Sequence, residues 1–577
     1  MAYLNTLGDA ALYFTPAKKN REIDAKLDEL NTKLDTFFQN LLDNDLLNCI
    51  NLLIVSDHGV QPFNSTVHFR ELTLNQEKTK LKVLEPKMDA TNGPLTRIHL
   101  DMSAIKRTTT DDPAGQYLTG LKKAFNALPS SNKKPQFSFA VQYLMKHLEC
   151  YDKTQFLMYD RKTLPKRYHY ETSSKTGDIL LQTRPNVNLI ADEEAFEKDA
   201  LITGACGYDV NTPSMQTIFL GRGPNIKASS SLPPFQNVEL YNLFSALLGL
   251  KTVVKNDGTQ GFTDKILQGL PPSTSESLYK AAEFISGIDT KGPIKIFGNS
   301  KCLLDFATKN KQLAKCETSS ANIFYSEVKE LGVTKYCDTL ILRHKNMVDG
   351  YTTMIFEQLK DKDFTKEKSK KLYDLVNTEH GKCFTFDTPC NNCRENWKAK
   401  ESKFSMPAMF DWQSLMANTK DALAEQFQAL QAITRYYTRK YKSITSITGT
   451  IYDFNKDGLA DTETVFREYD NIIHKNYVGR RPSHIFRILM RCGDNKWQVN
   501  GKSCVDQEKQ RVLSFVLPVL KDFNCLNASE ILSDNTARIR DIELLTGVQF
   551  FQDQELFKDK YSSLLARLHV PVKLWMQ

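Results

Sequence analysis

Long apolar runs are missing from this 577-residue sequence, and no stretch approaches the roughly 20 apolar residues that carry a helix across a bilayer. The first 30 residues also lack a secretory apolar core. An excess of either charge is also missing. A net charge of +8 is mild for this length, and the densest basic run, Lys366 to Lys371, has no interleaved aromatics, the pattern of a solvated helix face. Nucleic acid is therefore not implied as a partner. Twelve cysteines are too few to dictate a disulfide scaffold, so their meaning comes from position. What remains is a chain with 41% hydrophobic residues, typical of globular proteins and long enough for two or more domains.

The most informative stretch is Asn51 to Gly59, NLLIVSDHG. Four consecutive apolar residues, Leu52 to Val55, read as a strand buried on both faces, as in a parallel sheet covered by helices. Asp57 and His58 then stand at the carboxyl end of that strand, the edge at which open α/β sheets bind ligands. A carboxylate oxygen and an imidazole nitrogen are both good zinc ligands, although short Asp-His-Gly strings also occur in plain turns. Upstream, Ile23, Leu27, Leu30, Leu34, Phe37, Leu41 and Leu42 recur at helical spacing, so this helix is expected to pack on the sheet as core.

A second oxygen-rich string, YDFNKDGLADTE, begins at residue 452. Asp453, Asn455, Asp457, Leu459 and Asp461 fall at positions 1, 3, 5, 7 and 9 of a calcium loop, with Gly458 at the tight turn and the Leu459 carbonyl serving at 7. Thr464 stands at position 12 and Glu463 at 11, so the bidentate glutamate of a full EF-hand is absent. An Asp- and Gly-rich surface turn is the bland alternative. Two sequons, Asn64-Ser-Thr and Asn527-Ala-Ser, are candidate glycosylation sites.

In order and spacing, SDHG, LPKRYHY at 164 to 170, GYDVNTPSMQTIFLGRGPNIK at 207 to 227 and LPPFQNVELYNLFSALLGL at 232 to 250 resemble the ectonucleotide pyrophosphatase/phosphodiesterase family, including its autotaxin-like members. RPSHIFRILMRC at 481 to 492 and ARIRDIELLTGVQFF at 537 to 551, with the calcium string, resemble that family's carboxyl-terminal nuclease-like domain. The resemblance implies an α/β architecture. An alkaline-phosphatase-like domain, represented by its carboxyl-terminal part, would occupy 1–270, a linker 271–300, and an α+β domain like DNA/RNA non-specific endonucleases 301–577. The Asp-Arg-Gly-His string of active nucleases of that fold is absent, and His344 and His484 read as structural residues, so this domain is expected to be catalytically silent.

Members of the family hydrolyse phosphodiester and pyrophosphate bonds with two zinc ions and a threonine nucleophile. The resemblance carries Asp57 and His58 over to one zinc and places the threonine upstream of Met1. For the other zinc, LGDAALYFTP supplies Asp9 but puts Tyr13 where a histidine is expected, and GACGYD puts Cys206 in another histidine's place. A phenol with an ordinary pKa of about 10 is a poor zinc ligand at neutral pH. Thiolate zinc is more usual in structural sites. The chain is thus expected to be an inactive secreted pseudoenzyme or binding module with an incomplete zinc site and one structural calcium. The alternative is a fragment of an active zinc-dependent phosphodiesterase acting on nucleotides or lysophospholipids.

The family's extracellular or membrane-anchored setting, together with a chain that opens just before a metal motif, suggests a preceding segment. By the same resemblance Cys150 would pair with Cys525, Cys492 with Cys504, and Cys49 would be free. Cys383, Cys390 and Cys393 fit disulfides with Cys302, Cys316 or Cys337 better than a zinc knuckle, their pairing left open.

Overall fold

The computed structural model describes residues 11–13, 21–69, 88–100, 148–150, 152–191, 202–250, 261–270, 331–336, 339–344, 352–360, 422–461, 483–497, 504–506, 509–519, 524–547 and 560–575, with a few short pieces between. Helices and strands are mixed throughout. In the amino-terminal half, helix α1 (Arg21–Asp43) leads into strand β1 (Leu52–Val55), followed by β2 (Gln61–Pro62) and β3 (Ser65–His68). Strands β4 (Met88–Ala90), β5 (Leu95–Leu100), β6 (Phe156–Asp160) and β7 (Ile179–Thr183) form an antiparallel sheet in the order β4-β5-β7-β6. Strand β8 (Val187–Ile190) runs parallel to β3. Strand β9 (Gly204–Ala205) pairs with β2 and β10 (Phe219–Arg222) with β1, both antiparallel. Helix α2 (Leu240–Leu247) packs Leu240 and Leu243 with Ile266 against Leu53 and Phe219 of the β1–β10 pair.

The carboxyl-terminal half is built on a six-stranded antiparallel sheet in which every strand lies beside the one that precedes it in sequence. Its strands are β11 (Leu331–Tyr336), β12 (Thr339–His344), β13 (Thr352–Lys360), β14 (Ser443–Ile451), β15 (His484–Cys492) and β16 (Gln510–Pro518), with helix α3 (Ala422–Tyr441) crossing between β13 and β14. Helices α4 (Ala528–Asp534), α5 (Ile539–Thr546) and α6 (Lys560–Leu568) follow. Alternation along the strands sorts side chains between two covered faces. Ile447, Ile451, Phe486, Ile488, Met490, Val512 and Val516 face Ile539, Ile542 and Leu545 of α5. On the other face Arg487 is fully buried, donating to Thr448 Oγ1, Thr434 Oγ1 and the Leu430 carbonyl of α3. Asn527 caps α4 with a reciprocal Glu530 bond, and Gly547 ends α5 with φ 70°, a left-handed turn that favours glycine.

Two expectations are corrected here. Strand β1 is neither parallel nor buried on both faces: it pairs antiparallel with β10, three of its residues are half-buried and Val55 is 42% exposed. A run of four apolar residues encodes strand length and not the direction of its partner, and α2 covers only one side. Helix α1 forms where the 3.6-residue period places it, yet none of its residues is buried, and Leu27, Phe37 and Leu42 lie exposed. Periodicity fixes an apolar stripe without fixing what covers it. Among the described residues no helix is long and apolar enough to cross a membrane.

Candidate metal cleft and the seam between the halves

Three separate segments converge beyond the carboxyl end of β1. The turn Asp57-His58-Gly59 runs directly into β2, whose Gln61 and Pro62 face Ala205 and Gly204 of β9. The short helical piece at 11–13 lies against the same strand, since the Thr203 amide donates to the Leu12 carbonyl at 2.8 Å and Thr203 Oγ1 to the Tyr13 carbonyl at 3.0 Å. Glycine is required at two of these positions. A Cβ on Gly59 would collide with the Ser214–Met215 backbone, and one on Gly204 would sit 2.5 Å from the Ala11 carbonyl oxygen. The sequence candidates Asp57, His58, Tyr13 and Cys206 are thereby brought to one region, while Asp9 lies outside the described residues.

The donors gathered there do not fit a zinc centre. Asp57 and His58 are exposed, and the aspartate accepts the His58 amide at 3.0 Å. His58 Nδ1 lies 2.9 Å from the Gly59 carbonyl, which can only accept, so Nδ1 carries a proton; in the neutral ring Nε2 then keeps its lone pair, 3.7 Å from Asp57 Oδ2. That tautomer suits a metal ligand, but Tyr13 is a 44% exposed phenol and Cys206 a half-buried free thiol. Among the described residues no three His, Cys, Asp or Glu side chains gather closely enough to hold an ion.

The oxygen loop gathers no such triad either, but it offers other donors. Gly458 takes φ 78°, Leu459 and Asp457 amides donate to Asp457 Oδ1 and Asn455 Oδ1, and the Phe454 amide donates to Asp461 Oδ2 at 2.8 Å. Asp453 and Asp461 are both buried, and one oxygen of each, Oδ1, has no hydrogen-bond partner. Burial, reinforced by Asp453 and Asp457, pushes the Asp461 carboxyl up to about 7 against the Phe454 bond. Two unpartnered buried carboxylate oxygens on a loop that also offers an amide and a carbonyl are the donor chemistry a hard divalent cation takes.

Sequence reasoning missed what most of the recognised motifs do. Together they make a buried ionic seam between the halves of the chain. Arg167 of LPKRYHY grips Asp209 of the GYD motif with both amino groups, at 2.5 and 2.7 Å, and donates Nε to the Asp534 carbonyl at 2.8 Å. Burial alone would raise the Asp209 carboxyl; the Arg167 guanidinium outweighs it and holds the group below the ordinary aspartate range. Lys166 lies between Glu171 and Asp453, 2.5 Å from each. Glu239 takes the Thr259 amide at 2.6 Å and stands 3.9 Å from Arg538. Cys150 is bonded to Cys525 across the same seam, where Asn524 pairs with both backbone groups of Met158, at 2.7 and 2.9 Å. Cys492 and Cys504 form a second disulfide and Cys49 is a free thiol. The charged residues packed into LPKR and ARIRD were the available signal, but a sequence does not say which carboxylate meets which cation.

Asp541 shows the sign of these pairs. It is 1% exposed, accepts from Arg538 Nη2 at 2.7 Å and lies 3.1 Å from His169 Nε2. Burial favours its neutral form, yet Arg538 and then His169 dominate and hold it far below its ordinary 3.8. A depressed carboxylate contributes stability that is complete above its unfolded pKa and lost as pH falls through the folded one. The stability deficit of Asp541→Asn, whose larger share comes from Arg538, should therefore narrow as pH falls below about 4. Urea titrations of both proteins at several pH values measure it; a deficit that does not narrow in acid would reject this assignment.

Buried His484 is held well below the ordinary histidine range by burial and by Lys166, consistent with a structural residue; the His344 side chain lies outside the described residues.

Comparison with known proteins fits this frame. Residues 1–209 match the model of the type I phosphodiesterase / nucleotide pyrophosphatase family. The chain is 26% identical over 556 residues to ectonucleotide pyrophosphatase/phosphodiesterase C27A7.3 of Caenorhabditis elegans, covering 92% of this chain and 64% of that protein. It is 26% identical to the venom phosphodiesterase of Macrovipera lebetinus over 92% of this chain and 60% of the relative. Against family member 1 of Mus musculus the values are 23% identity, 96% and 59%. The chain is thus similar over most of its length to nucleotide pyrophosphatase/phosphodiesterases. It spans about three fifths of the length of these relatives.

Proposed function

We propose that this chain is a secreted member of its family that binds phosphodiester ligands of the nucleotide type without turning them over, an inactive pseudoenzyme or binding module. One observation carries the reading. The segments assigned to the metals by resemblance meet at β2 and β9, yet they bring a phenol and a thiol in place of two imidazoles. The rival reading, a part of an active zinc-dependent phosphodiesterase, draws on the His58 tautomer, which leaves Nε2 able to bind a metal. Zinc uptake separates them. Equilibrium dialysis should find no tightly held zinc in the chain, whereas Tyr13→His with Cys206→His should gain one ion by completing a set with Asp9. Two tightly bound zinc ions in the unaltered chain would overturn the proposal.

The carboxyl-terminal half is proposed to be a silent nuclease-like domain, the chain dividing at 271–300, with Asp453, Asn455, Asp457, Leu459 and Asp461 binding one structural calcium. The two unpartnered buried oxygens support this. Calcium at a hundredfold excess over its dissociation constant should stabilise the fold by about 2.7 kcal/mol. Melting curves in calcium and in EDTA measure this, with Asp457→Ala removing most of the shift; identical curves for the unaltered chain would reduce the loop to a turn. Secretion would also allow glycans on exposed Asn64 and Asn527. The Asn527 cap uses Oδ1 and leaves Nδ2 for attachment.

A further inference from the structure

We infer that Arg491 of β15 and Arg511 of β16 form a binding site for a tetrahedral oxyanion, a phosphate or sulfate group carried free or as an ester. The two arginines are direct cross-strand partners, so their side chains leave the sheet on the same face. It is the face on which Arg487, four residues back along β15, reaches α3. Like charges set opposite each other in a sheet cost stability. Arg511 Nη1 donates to the Gln510 carbonyl at 2.9 Å. Arg491 is held without being paired. Its Cζ lies 4.1 Å from the Tyr441 ring centre and 5.0 Å from that of Trp575, two rings set at 88° to each other. Trp575 is fixed in turn by Tyr437, whose hydroxyl donates to the Trp575 carbonyl at 3.0 Å. Ring faces attract a cation but leave its in-plane N–H donors unused.

No carboxylate answers this charge among the described residues. Burial lowers the Arg491 guanidinium from the ordinary arginine range, Tyr441 opposes it and Arg511 adds to the lowering. The acids next along the hairpin, Asp494 and Asp506, face Lys509 instead, at 3.5 and 3.6 Å. Lys440 brings a third cation, 5.8 Å from the same Tyr441 ring. Arg491 Nε is buried without a partner, so a ligand meets this side chain through its two terminal amino groups, a fork that suits two oxygens of one anion. The rings hold the fork in advance, and little side-chain freedom is lost on binding. The geometry also selects the ligand. A planar carboxylate serves one fork and carries one charge, whereas phosphate or sulfate offers oxygens in several directions and enough charge to replace the repulsion between the two arginines by attraction to both.

Equilibrium dialysis of the full chain against labelled inorganic phosphate, at fixed ionic strength, tests the site. Arg491→Gln and Arg511→Gln should each weaken phosphate binding by about tenfold or more, the loss of at least one charge-assisted hydrogen bond. Lys509→Gln removes an equal charge from the same hairpin without touching either arginine and should leave binding nearly unchanged. Ribose 5-phosphate, added as a competitor, separates the two sources: displacement of the label supports an ester as ligand, and its failure to displace supports the free ion. Equal weakening by all three variants would reduce the effect to the general positive charge of the hairpin and overturn the site. Phosphate binding that neither arginine variant alters would place the anion elsewhere and overturn it too, as would no binding by the unaltered chain. If Arg491→Gln does not fold, Arg511→Gln, on an exposed side chain, decides the matter against Lys509→Gln.

Discussion

Arg167→Ala is expected to destabilise the chain by about 3–5 kcal/mol, the cost of leaving a buried carboxylate without its partner. The Arg167 side chain is 6% exposed and serves the Asp209 and Asp534 carboxylates and the Asp534 carbonyl at once, while its Cζ lies 4.4 Å from the Tyr168 ring centre. Asp534 is the vulnerable group. Burial already pushes its carboxyl up to about 6 with Arg167 opposing, so removing the arginine leaves a neutral acid or an unpaired charge beside Tyr159. Lysine should not rescue the site, since a point charge cannot reproduce the two-pronged grip on Asp209. Chemical unfolding measures this directly, and a loss below about 1 kcal/mol for Arg167→Ala would place the pair among weak surface contacts and reject the seam as a stabilising element.

Much of the architecture was legible because it is local. The strand at Leu52–Val55, the helix from Arg21 and the turn at Gly458 appear where apolar run, period and Asp-Gly chemistry put them. The antiparallel pairing of β1 and the exposed stripe of α1 were not legible, because both depend on what lies alongside, and a linear pattern records only what a segment prefers to bury. The candidate metal cleft was half legible. Asp57 and His58 announced themselves by residue type, but their convergence with Tyr13 and Cys206 rests on the β2–β9 register and on two bonds from Thr203, an unremarkable residue in sequence. The seam was the least legible part. Lys166 and Asp453 are separated by 287 residues, and no local rule pairs them.

These seam residues also give most of the recognised motifs a structural role. Arg167, Asp209, Glu239, Arg538 and Asp541 hold the fold together through pairs that are independent of zinc. In the proposed reading, inactivity is therefore a claim about a few side chains near β2 and β9.

The most direct test is hydrolysis of a p-nitrophenyl ester of thymidine monophosphate by the purified chain with zinc supplied. The proposed reading predicts release no faster than the protein-free blank, unchanged by Asp57→Ala, because phosphoryl transfer by a two-metal clamp needs both ions held and no three metal-ligating side chains gather among the described residues. Zinc-dependent turnover that Asp57→Ala or His58→Ala abolishes would contradict it.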